Sequence, residues 1–143
     1  MQGRTPISLS RMWVMAIRIV RLGTTRHPDE GVRLGTVRRP PRGVRKDRYA
    51  KDNWYDVWLP ALSPSGGLLS FALKSLDNPA TWRHFTKRYE SEMAKPDASR
   101  ILDTLAALSH QTNFSVGCYC ENEQRCHRGI LRRILEKHGA KII

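Results

Sequence analysis

The stretch FSVGCYCENEQRCHRGILRRILEKHG, residues 114–139, carries one whole structural unit. FSVGCYC (114–120) alternates as a strand, residues 121–125 are a polar turn, and the remainder repeats apolar side chains at helical spacing. Ile130, Leu131, Ile134 and Leu135 form the inward stripe of a helix over 126–138, and Gly139 stops it. A strand that runs through a short loop into a helix is half of a βαβ unit. The rest of the chain extends the theme. AIRIVRL (16–22) and RLGTV (33–37) read as strands, and GLLSFALKSL (67–76) as a short helix. In DNPATWRHFTKRYESEMA (77–94) Asn78 can cap a helix that starts at Pro79, with Trp82, Phe85, Tyr89 and Met93 as its core face. KPDASRILDTLAALSH (95–110) gives another helix, and AKII (140–143) a last short strand. Strands alternating with helices predict an α/β fold: a layered, mainly parallel sheet flanked by helices, Rossmann-like, in a single domain.

Length and composition agree with one domain. The chain has 143 residues, 40% hydrophobic and 27% charged. We read residues 1–14 as an N-terminal basic arm and 15–143 as the α/β domain. No apolar run reaches the roughly 18 residues of a membrane span, and the first residues lack the apolar core of a secretory signal. Three cysteines, odd in number and clustered, point to a reducing, cytoplasmic compartment rather than a disulfide scaffold. With 25 Lys+Arg against 13 Asp+Glu, the net charge of +12 points to a polyanionic partner, a phosphate-bearing small molecule or a nucleic acid.

The cysteines fall at the strand–helix junction. Alternation puts Phe114, Val116, Cys118 and Cys120 on one face and Tyr119 and Glu121 on the other. Cys118 is therefore expected in the core as a small buried side chain. Cys120 and Glu121 end the strand on the side where open α/β sheets place ligand crevices. The helix beginning near Cys126 aims its free N–H groups and positive dipole end at the same place. Several chemistries compete there. Zinc needs about four tetrahedral ligands, C-x-C-x5-C-H is not a zinc-finger spacing, and adjacent Cys126 and His127 diverge by roughly 100° on a helix. No metal or other cofactor is expected. A Cys120–Cys126 redox pair is geometrically open. A thiolate is better motivated, because Cys126 in a first helical turn beside Arg125 and Arg128 would have a lowered pKa. The same features would bind a phosphate, with Arg128 bidentate. The C-x5-R phosphatase motif is absent, since Cys126 itself stands six residues after Cys120. His127 can act as acid or base with Glu121 orienting it; the plainer alternatives are a solvated histidine and a packed junction without chemistry.

RRPPRGVRKDRYAKDNWYD (38–56) has no periodicity and reads as a long loop; seven of residues 38–51 are Lys or Arg. Arg45, Lys46, Arg48 and Lys51 are candidate nucleic-acid contacts, and Tyr49, Trp54, Tyr55 and Trp58 candidate stacking platforms or core anchors.

Four segments in order resemble the DUF488 family of unknown function, close to its YeaO-like branch. They are Cys120-Glu121 with Cys126-His127-Arg128; Arg38 with Pro41-Arg42-Gly43; Trp58, Leu59, Leu62, Pro64 and Ser65; and Trp82, Phe85, Tyr89 and Glu92. The chain departs from that branch at Val37, where aspartate is usual, and at Pro40, where tryptophan is. The resemblance implies an α/β layered fold and supplies no activity. Because R-x-x-P-R-G resembles a family feature, Arg38 and Arg42 are expected to converge with Arg128 on one anion, and Cys120, Glu121, Cys126 and His127 to form a reactive rim. The rival expectation is a non-enzymatic nucleic-acid-binding protein whose cysteines are structural.

Overall fold

The computed structural model describes residues 15–72 and 77–143; the expected arm 1–14 and the end of the expected helix 67–76 lie outside them. Four strands form one sheet: β1 (Ile17–Arg21), β2 (Val32–Gly35), β3 (Val57–Trp58) and β4 (Phe114–Cys118). Their order is β1-β4-β2-β3 and all pairs are parallel. The last strand in sequence thus sits between the first two. AKII contributes a single parallel bridge, Ile142 to Ile17, rather than a strand.

Among the described residues four helices accompany the sheet: α1 (Gly66–Ala72), α2 (Pro79–Met93), α3 (Pro96–Leu108) and α4 (His127–Lys137). Their ends follow local chemistry. Asn78 Oδ1 accepts from the N–H groups of Ala80 and Thr81, and Pro79 takes the first position of α2, where no N–H is missed. The expected apolar faces are the buried ones, with Phe85, Tyr89 and Met93 of α2 and Ile130, Leu131, Ile134 and Leu135 of α4 all in the core.

Period-2 alternation divides the sheet into two faces. Ile17, Phe114 and Val116 pack with the helices, joined by the partly buried Ile19 and Leu34. The alternate positions meet loops instead. Arg33 is wholly buried and donates from Nε and Nη2 to Glu30 at 2.6 and 3.0 Å, while its Nη1 reaches the carbonyls of Thr24 and Asn53. Glu30 also accepts from Ser115 Oγ on β4. One ion pair therefore ties β2, β4 and two loops on the face that the helices leave bare. Gly117 is required here, since a Cβ would come within 2.7 Å of the Val20 carbonyl oxygen on β1.

The loop 38–56 closes this face. It is irregular, as its composition indicates, apart from one short 3-10 turn at Lys46–Arg48. Tyr55 is buried against Gly35, Trp54 lies against Gly23, and Trp58 donates its indole N–H to the Val37 carbonyl at 2.7 Å. These aromatics anchor the loop to the sheet.

Burial by itself would raise the pKa of Glu30, but the hydrogen bonds from Arg33 and Ser115 outweigh it and hold the carboxyl below its ordinary value. Its contribution to stability is present above the unfolded pKa near 4.5 and is lost as pH falls through the lower folded value. Arg33→Met leaves that carboxylate buried without its partner and should cost about 3–5 kcal/mol in urea unfolding at pH 7. Part of that loss should disappear on acidification, because the wild type then loses the same interaction.

Candidate functional site: a three-cysteine junction

The ladder bonds of β4 stop where its neighbours stop. Leu22 N–H donates to the Cys118 carbonyl and Thr36 N–H to the Gly117 carbonyl, and beyond Cys118 neither β1 nor β2 offers a backbone partner, only the Arg21 side chain, which donates to the Tyr119 carbonyl. The strand therefore ends two residues earlier than alternation suggests, and Cys120 lies outside it on the surface. The chain turns back through a 3-10 segment at Glu123–Arg125, whose start is capped by Asn122 Oδ1 accepting from Gln124 N–H. Cys126 is the extended residue just before α4, and His127 is the first helical one. Gly129 lets the first turn of α4 close against the Glu123 carbonyl, which a side chain would strike.

This path brings Cys118, Cys120 and Cys126 together, with all three sulfurs within 4.8 Å of one another. Cys118 and Cys126 are buried and Cys120 is exposed, and none forms a disulfide. Cys118 does occupy the core register expected for it, but its sulfur also belongs to this cluster. The sequence argument against a metal set Cys118 aside; the three-sulfur set appears only when the strand exit folds back.

Charge in the cluster falls on the outermost sulfur. Hydrogen bonds from the Cys118 and Cys126 thiols hold Cys120 well below the usual thiol pKa, with the Arg128 guanidinium adding electrostatic support. The pKa of Cys118 is pushed up chiefly by its hydrogen bond to Cys120, and that of Cys126 by those to Cys118 and Cys120. The expected lowering thus falls on Cys120 and not on Cys126, because two buried thiols serve as donors to the one sulfur that water can reach.

His127 is buried, which pulls its pKa down to about 4. Its Nε2 lies 2.7 Å from the Thr36 carbonyl oxygen, so Nε2 carries the proton and donates it. Nδ1 then keeps its lone pair, 3.9 Å from Cys126 Sγ. The histidine is oriented by the Thr36 backbone at the end of β2. Glu121, expected to orient it, instead extends into solvent and pairs with Arg21 at 3.4 Å.

The three arginines occupy different positions. Arg38 donates to the Ser63 and Pro64 carbonyls and lines a cavity of about 410 Å³ together with Arg39, Ser70, Cys118, Cys120 and His127. Arg42 lines a second cavity, of about 610 Å³, with Arg21, Arg39, Trp54 and Tyr119. The two cavities share Arg39 and Tyr119, and the Tyr119 hydroxyl donates to the Arg39 carbonyl. Arg128 lines neither. It is buried, donates from Nη2 to the Glu121 carbonyl, and among the described residues has no hydrogen-bond partner for Nε and Nη1. Arg39 and Cys118 are the site residues that sequence reasoning missed. Arg39 had no motif to mark it, and the core position of Cys118 concealed its sulfur.

Arg45, Lys46, Arg48 and Lys51 lie on the exposed outer surface of the loop. Arg45 pairs with Asp47 at 3.0 Å and Arg48 with Asp52 at 2.7 Å, which halves the field this stretch presents. The remaining recurrent segments brace the cavity. Ser65 donates from N–H and Oγ to the Glu92 carboxylate, and the Tyr89 hydroxyl to the Leu62 carbonyl.

Among described residues no helix is long and apolar enough to cross a membrane. A family model described as the active DUF488-N3 subclade matches residues 17–139. No curated protein and no solved structure gives a significant match.

Iodoacetamide should modify Cys120 first. Its rate should change little from pH 8 down to about pH 6, where an ordinary thiol with a pKa of about 8.5 slows nearly tenfold per unit. Cys118→Ala should restore part of the ordinary pH dependence by removing one donor; an unchanged profile would show that Cys118 does not support the thiolate. Peptide mapping of the alkylated protein gives both results.

Proposed function

The chain belongs to the DUF488 family, and on that premise we propose that it is a cysteine-dependent catalyst acting on a phosphate-bearing small molecule, a nucleotide in the first instance. The observation that carries this reading is the position of Cys120: an exposed sulfur held by two buried thiols, on the wall of a cavity that also presents Arg38 and Arg39. An anion drawn to those guanidinium groups meets a thiolate in a partly apolar cleft, where charge interactions are stronger than in water.

The adjoining cavity supports the nucleotide class. Trp54 and Tyr119 offer aromatic faces for a base, and Arg21, Arg39 and Arg42 offer charge for phosphates. Arg39, common to both cavities, would bridge ligand phosphate to reacting centre. In this reading Arg42 contacts the ligand from the second cavity. Arg128 acts from behind, as a buried positive charge that favours the thiolate.

The roles follow. The Cys120 thiolate forms a bond to the electrophilic carbon or phosphorus, and the leaving group departs with the bonding electrons. Cys118 and Cys126 hold the sulfur ionised by donating their S–H groups to it, and His127 packs beside them with Nδ1 3.9 Å from Cys126 Sγ. Glu121, exposed at the rim beside Arg21, activates the water that releases the product and returns the thiolate. Free thiols suit a reducing, cytoplasmic setting.

Nucleotides and phosphosugars should raise the melting temperature of the wild type. Arg39→Ala, an exposed position, should weaken that binding by about tenfold, the loss of one charge-assisted contact, with the melting temperature of the free protein unchanged. Incubation with the bound compound should leave a covalent mass increment on Cys120, absent in Cys120→Ser. Stabilisation by oligonucleotides alone, lost steeply with salt and insensitive to Cys120→Ser, would instead support a nucleic-acid-binding protein using Arg45, Lys46, Arg48 and Lys51.

A further inference from the structure

We propose that Cys118, Cys120 and Cys126 together bind one thiophilic divalent cation of the zinc class, with a fourth coordination position facing the Arg38–Arg39 cavity. Three separate backbone segments deliver these sulfurs: the last residue of β4, the strand exit, and the residue before α4. All three lie within 4.8 Å of one another. A tetrahedral zinc ion with bonds of about 2.3 Å places its thiolates roughly 3.8 Å apart, so small side-chain rotations complete the set.

The surroundings fit the complex as well as the ligands do. Three thiolates and a dication carry a net charge of about −1. The buried guanidinium of Arg128 supplies the matching positive charge, and its Nε and Nη1 lack hydrogen-bond partners. His127 stands beside the cluster with Nε2–H given to the Thr36 carbonyl and Nδ1 turned toward Cys126 Sγ. That is the orientation in which a backbone carbonyl holds an imidazole at a metal centre. Two ligands are buried and one is exposed, so the ion would be closed on its protein side and open on its cavity side. Three protein ligands with one open position is the arrangement of zinc sites that exchange water or substrate.

This inference does not depend on the covalent reading of Cys120. The two compete for one sulfur: a bound ion caps the nucleophile, and metal binding would silence that chemistry.

The full chain, reduced without a chelating thiol and stripped of metal, is titrated with Co²⁺ and then Zn²⁺. One equivalent of Co²⁺ should give near-ultraviolet thiolate charge-transfer absorption and intense visible bands of tetrahedral geometry, both removed by Zn²⁺. Native mass spectrometry should show one Zn²⁺ per chain. Cys118→Ala changes only a small buried side chain, and circular dichroism checks its fold. It should weaken Zn²⁺ binding by about 100-fold or more, beyond the loss typical of a group that merely supports a ligand. Zn²⁺ should also protect Cys120 from iodoacetamide in the wild type but not, at the same concentration, in Cys118→Ala. Absence of the charge-transfer band, or equal affinity in a folded Cys118→Ala, would overturn the proposal. Covalent adducts are measured on the metal-free protein, so failure of that chemistry leaves the metal result standing, and the reverse.

Discussion

Strand β4 is hydrogen-bonded along both edges, and the site begins where those bonds run out. Insertion between β1 and β2 buries all five of its residues, from Phe114 to Cys118. It also fixes the carbonyls of Gly117 and Cys118 against Thr36 and Leu22. The backbone then loses both partners in one step. Cys120 is free to turn outward, and Thr36, held at the end of β2, has a carbonyl left for His127. The ladder and the cysteine junction are thus one construction: β4 carries the cysteines to the carboxyl edge, and β2 orients the residue that opens α4.

Two buried arginines show how differently the same charge can be handled. Arg33 is fully satisfied by Glu30 and two carbonyls, and it clamps the loop face of the sheet. Arg128 donates once and is left with two buried N–H-bearing nitrogens that lack partners. Burying a cation without full compensation is costly. At Arg128 the nearest compensation is the low-pKa sulfur of Cys120, with which it interacts electrostatically.

The segments that mark the family divide in the same way. Cys120, Cys126 and His127 form the junction itself. Ser65 with Glu92, and Tyr89 with the Leu62 carbonyl, brace the chain that follows β3, and the Ser63 and Pro64 carbonyls in that chain hold Arg38 on the cavity wall. Residues distant in sequence are therefore coupled through hydrogen bonds to one short run of backbone. The stacked rings of Trp82 and Phe85 extend this bracing, and Arg125 from the turn before α4 lies over Trp82.

Periodicity sufficed for β1, β2 and β4, for the three helices between 79 and 137, and for the parallel α/β class, because each of these is set by local alternation and by caps such as Asn78; it missed the two-residue β3 and made a strand of 140–143, which forms one bridge. It also located the junction, since a strand leading through five residues into a helix leaves little freedom about which ends meet. Its limits are equally physical. Alternation describes a strand only while neighbours hold it, so it could not anticipate that β4 ends at Cys118. It assigned Cys118 to the core correctly and could not see that a buried side chain may still share a cluster with an exposed one. Nor could spacing reveal that Thr36, Arg39 and Arg33 matter: they act through carbonyls, a cavity wall and a buried ion pair made by residues far apart in the chain. Local pattern determined the elements and the cysteine-rich junction. Which sulfur carries charge, which arginine faces the cavity and which is enclosed were decided by tertiary packing, since burial and partner geometry exist only once the sheet is assembled.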